Sequence, residues 1–162
     1  PLRFVLFGAG FWSMALMVTV LLLFQGYHGV LYEKIGLLNG LFMFGLWIGA
    51  ELPGRVSWLK TKRAIFLSIL LAICIGPFVM ALKAEGAFYL FCLVSGMVTG
   101  VQFGLSSEFN LKDAPGLYGM ELLGSSLAAI TVGVFGVGLY GVGYVVAGIM
   151  GLEALALVRI LK

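Results

Sequence analysis

Charged side chains set in apolar sequence are the first candidates for chemistry, because placing them in lipid is costly and they mark functional paths. Four glutamates stand in such sequence: Glu51, Glu108, Glu121 and Glu153. A carboxylate inside a helical bundle can pair with a small cation, so these four are candidate substrate-binding groups. Glu51 and Arg55 are four residues apart, the spacing that brings two side chains together on one helix face. They suit either an ion pair at the membrane interface or a latch between helices. Glu121 falls in the first turns of an expected helix, where the helix dipole stabilises an anion. Glu108 leads into Asn110, Lys112 and Asp113, a mixed-charge stretch that reads most simply as a solvated connection. Glu153 is the deepest of the four, roughly 10 Å from the end of its helix at about 1.5 Å per residue.

A second group of candidates lies in residues 24–34, the most polar and aromatic stretch of the chain. Gln25 sits at the expected bilayer edge and needs a hydrogen-bond partner there. Tyr27 and Tyr32 suit the aromatic belt of a membrane interface, or a site for a cation or quinone. His28 is the only histidine, so a haem held by two histidines of this chain is excluded. It reads as an interface residue or, less simply, a ligand. Cys74 and Cys92 both fall in apolar runs and read as small packing residues. No phosphate-binding loop, zinc-binding His-Glu-x-x-His pattern or soluble catalytic domain is visible in the sequence. The sequence therefore predicts no catalytic residues, metal site or cofactor, and leaves enzymatic activity undecided.

These residues have to be positioned by elements suited to lipid. Of 162 residues, 62% are hydrophobic and 10% charged, against about 45–50% and about 25% in soluble domains. A crossing helix needs about 20 apolar residues. Residues 4–26, 35–53, 64–82, 86–107, 117–140 and 142–160 meet that need. The runs are continuously apolar, whereas strands of a membrane barrel alternate. The last two spans form one stretch too long for a single crossing, so the chain must turn among Gly138, Gly141 and Gly143. The expected fold is all-α: a polytopic bundle of about six transmembrane helices.

Basic residues orient it, since cytoplasmic loops are rich in Lys and Arg. Arg3, Arg55, Lys60, Lys62, Arg63, Lys112, Arg159 and Lys162 fall on one side of six spans, Lys34 and Lys83 on the other. Both termini are expected in the cytoplasm, with the bundle in a bacterial inner (plasma) membrane. The net charge of +3 is what basic inner loops produce and does not suggest nucleic acid. The chain opens at Pro1 without a signal-peptide pattern, which suggests a piece of a longer protein. Small residues four apart mark faces where helix backbones approach closely. They are Gly96, Gly100 and Gly104; Gly45 and Gly49; Gly36 and Gly40; Ser125, Ala129 and Gly133; and Gly143, Ala147 and Gly151. Lipid is the expected partner, together with other protein subunits or a further soluble domain.

Residues 24–36, from Phe24-Gln25-Gly26-Tyr27-His28 through Tyr32-Glu33-Lys34 to Gly36, resemble a segment of membrane-embedded spermidine synthase-like proteins, and residues 41–49 continue the likeness. Residues 116–129 supply a second match. The family pattern there is Tyr, two small residues, Asp, Leu, Leu, Gly, then small residues. Here Met120 stands for one small residue and Glu121 for the Asp. The family joins a multi-helix membrane region to an aminopropyltransferase-like domain. The resemblance implies a membrane module that serves as anchor and as a conduit for a small cationic substrate, with none of the catalytic acids. Residues 45–63 also resemble the second-to-third helix region of major facilitator transporters, which implies a half-transporter. A non-catalytic subunit of a larger electron-transfer complex is the remaining expectation.

Overall fold

The computed structural model describes residues 2–29, 32–55, 62–109 and 114–161. Regular structure among them is helical throughout, with no strand. The helices are α1 (Leu2–His28), α2 (Tyr32–Arg55), α3 (Lys62–Ile75), α4 (Glu85–Phe109), α5 (Ala114–Ile130) and α6 (Val137–Leu161). A 3-10 turn, Gly76–Ala81, extends α3, and a π-helical turn, Thr131–Gly136, joins α5 to α6. Among the described residues five helical segments are long and apolar enough to cross a membrane, and α6 adds a shorter apolar stretch, Gly143–Leu152. The all-helical expectation holds, and the helix ends need correction.

Residues 24–34 are mostly helix rather than a polar loop, because α1 runs to His28 and α2 begins at Tyr32. Polar side chains do not stop a helix by themselves, and a backbone near lipid keeps its hydrogen bonds within the segment. What stops α1 is Gly29 at φ 80°, whose N–H donates to the Gln25 carbonyl at 3.0 Å. This is the left-handed glycine cap of a helix C-terminus. The third span changes pitch at Ile75, where Pro77 enters the first turn of the 3-10 segment without a donor N–H. The expected reversal after the fifth span falls at Gly141, at φ 77° and ψ 163°, a conformation that favours glycine. Beyond it the chain returns: Gly143 faces Met80, and Gly76 faces Met150, so α6 runs antiparallel to α3.

Two helices form the centre. The end of α1 meets the start of α4 through Phe24 against Phe88, ring centroids 5.4 Å apart and edge to face, so α1 and α4 are antiparallel. α2 packs along α4, and α5 along α1; α3 contacts α4 and α6, and α6 contacts α1. Both flanking pairs are parallel. A Cβ on Gly96 would strike the Phe42 carbonyl oxygen, one on Gly100 that of Leu46, and one on Gly104 would press on Ala50. Gly45 and Gly49 meet the main chain of Leu93 and Met97 in the same way. On the other flank Gly10 meets the main chain of Glu121, and Gly124 that of Phe7 and Phe11. Glycine at these positions lets backbones touch, which is what holds helices together where lipid offers no hydrophobic gain.

Other small-residue stripes do not pack this way. Gly36, Gly40 and Gly151 have open space where a side chain would be. Ser125 contributes to the α1–α5 contact by donating to the Gly10 carbonyl at 3.2 Å.

Candidate functional site

α4 carries four buried polar residues, Ser95, Thr99, Gln102 and Ser106. Their spacing of four, three and four residues puts them on one helix face. Phe88 and Cys92 extend the same stripe toward the start of α4, and every residue in it is at most 4% exposed. Phe88 touches α1 through Phe24, so the stripe starts against α1 and continues into the core where α4 packs on α1 and α3. The opposite side of α4 is the glycine face that meets α2, and Leu105 turns toward Val5, Ile65 and Ile69. The antiparallel register set by Phe24 and Phe88 carries Gln102 to the level of Gly10 and Ser13 on α1.

The hydroxyls of this seam are only partly used. Ser95 donates to the Cys92 carbonyl at 3.1 Å, Thr99 to the Ser95 carbonyl at 3.0 Å, and Ser13 to the Gly10 carbonyl at 3.1 Å. These bonds return each proton to its own helix and leave each oxygen able only to accept. Gln102 is fully buried, and neither its amide nitrogen nor its amide oxygen has a protein partner. The Ser106 hydroxyl is in the same condition. An unpaired buried amide costs about 1–3 kcal/mol. The seam is thus a line of acceptors ending in a group that can donate and accept.

The sequence-predicted residues lie elsewhere. Glu51 is exposed on α2, with Arg55 Nη2 at 3.5 Å from its carboxylate and both side chains more than half exposed. This long, solvated pair is weak. Glu108 is half-buried at the end of α4 and engaged with a neighbour. Glu121 is half-buried on α5, its main chain against Gly10. Glu153 lies in α6, and its side chain is outside the described residues, as are Asn110, Lys112 and Asp113. Glu51, Glu108 and Glu121 are on α2, α4 and α5 and form no joint cluster among the described residues.

At the opposite end of α4, Glu85 accepts hydrogen bonds from Lys34 at 2.8 Å and from the Tyr89 hydroxyl at 2.6 Å. The pair joins the start of α2 to the start of α4. Beside it His28 stacks on Phe24 at 4.9 Å and meets the edge of Phe88 at 5.8 Å. Tyr27 and Tyr32 point outward, 57% and 84% exposed, and Gln25 is half-buried next to them. Among the described residues no group of His, Cys, Asp and Glu is arranged to hold a metal. A groove of 390 Å³ between the 3-10 turn and α4 is lined by apolar residues such as Phe78, Leu90 and Phe91, and offers a solute nothing but packing.

Sequence reading singled out charges and so missed Gln102. The available signal was the spacing of Ser95, Thr99, Gln102 and Ser106, which share a face opposite Gly96, Gly100 and Gly104. Comparison with protein-family models, curated proteins and solved structures finds no match for the chain.

Proposed function

We propose that the chain is a multi-pass module of a bacterial inner membrane that anchors and carries a small polar solute between α1 and α4. The observation that supports this is Gln102, wholly buried on the α4 seam with its amide unpaired. A pure anchor gains nothing from such a group, since leucine would fill the place without the desolvation cost. A solute that bonds to Gln102 offsets that cost when it arrives. Arg3, Arg55, Lys62 and Arg63 gather at the end of the bundle where α1 and α3 begin and α2 ends, and the excess of basic residues there supports a cytoplasmic location for that end and for both termini.

The resemblance to the membrane region of spermidine synthase-like proteins agrees with an anchor and conduit, catalysis belonging to another domain. The same seam would serve a half-transporter, whose site lies near the midplane between helical repeats. The test is uptake of small polar solutes into liposomes containing the protein and its Gln102→Leu variant. Loss of uptake in the variant is expected. Equal uptake by both would take Gln102 out of the path, and uptake no faster than into protein-free liposomes would reduce the module to an anchor.

A second reading, a non-catalytic subunit of a larger membrane complex, is favoured by the outer face of α2. Gly36 and Gly40 are open there, beside exposed Asn39, Met43 and Trp47. Small residues with a polar amide are what transmembrane helices use to dock. A Gly40→Leu change that releases a co-purifying subunit would support it, and an unchanged particle would count against it.

A further inference from the structure

We propose that the solute held on the α4 seam is uncharged and both donates and accepts hydrogen bonds, the chemical class of urea and small amides. This rests on the conduit reading above and adds the class of solute.

The protons of Ser95, Thr99 and Ser13 are bound to carbonyls of their own helices. Their oxygens can therefore only accept. A solute meeting them must donate. Gln102 then adds an NH2 that seeks an acceptor and an oxygen that seeks a donor, and Ser106 adds a free hydroxyl. A neutral molecule with a carbonyl and an amino group satisfies all of these at once. An anion would face lone pairs along most of the seam.

A cation would match the oxygens but would have no counter-charge. None of the six residues from Phe88 to Ser106 that form the stripe is ionised. The carboxylates of the neighbouring helix ends and of α5 lie off the stripe. Glu85 is held by Lys34 and Tyr89 at the far end, Glu51 is exposed beside Arg55, Glu108 is engaged, and Glu121 belongs to α5, its main chain packed against Gly10. A charge taken into a low-dielectric interior without a partner pays its full desolvation cost, whereas a neutral amide loses only hydrogen bonds that the seam replaces.

The experiment measures efflux of labelled urea, acetamide, methylammonium and putrescine from liposomes containing the full chain. Urea and acetamide should leave measurably faster than from protein-free liposomes. Gln102→Leu should return the rate to background, and Ser106→Ala, a smaller change that keeps the packing, should lower it in the same direction. Helical content and monodispersity of each variant show that it is folded. Methylammonium or putrescine efflux that exceeds background and is lost in Glu121→Gln, with urea at background, would overturn the neutral class and leave the conduit standing. Background rates for all four probes would remove the conduit itself.

Discussion

Gln102 has two amide donors and an acceptor oxygen to satisfy, in a helix where Ser95 and Thr99 bond to their own backbone. Its burial without a partner makes a sign prediction that ordinary core residues do not. Replacing it with leucine should stabilise the empty protein by about 1–3 kcal/mol, the desolvation cost of an unsatisfied group. Thermal unfolding of the detergent-solubilised variant reads this directly. A fall in the midpoint would mean that Gln102 is bonded within the protein. Ser68, buried on α3, donates to its own helix at Ile65, so Ser68→Ala should shift the midpoint far less, within about 0.5–1.5 kcal/mol. Little of this was legible in the sequence. Ser95, Thr99, Gln102 and Ser106 carry no charge and barely lower the hydropathy of their span, so attention went to Glu51, which is exposed. Telling a buried glutamine from a lipid-facing one requires knowing which side of α4 meets α1, and that depends on neighbours far away in sequence.

Helix contacts in this protein divide into those made by backbone and those made by side chains. α2 and α4 belong to the first kind, with Gly100 against Leu46 and Ala50, and Gly49 against Met97. Gly100→Val should therefore force the pair apart and cost about 1–3 kcal/mol, the usual penalty of overpacking. Gly36→Val, on the same helix pair but facing open space, should leave the unfolding midpoint within about 0.5 kcal/mol. Equal effects of the two would contradict the assigned faces. The sequence showed both stripes alike, because small-residue spacing marks a face that can pack and does not say whether a neighbour occupies it. It did show the helical, apolar character of the chain, and among the described residues five helices are long and apolar enough to cross a membrane. Helix ends were harder. Gln25, Tyr27 and His28 are polar enough to suggest a loop yet stay helical, and the true stop is one glycine at positive φ. The turn at Gly141 was legible as one of three glycines, because only a turn could divide so long an apolar stretch.

The whole molecule is a bundle built outward from α1 and α4, with parallel flanking pairs on either side. Its helix directions alternate, so Arg3, Arg55, Lys62 and Arg63 lie toward one end and Lys34 and Lys83 toward the other. A solute path along α4 has physical meaning only if those two ends face opposite sides of a bilayer. The most direct measurement places a single cysteine at Gly29 or at Arg55, in a protein whose Cys74 and Cys92 are changed to alanine, and treats intact cells with a membrane-impermeant maleimide. Gly29→Cys should be labelled from outside, and Arg55→Cys only after the membrane is opened. Labelling of Arg55→Cys in intact cells, or equal labelling of both positions, would contradict a bundle that crosses the membrane with its basic end in the cytoplasm.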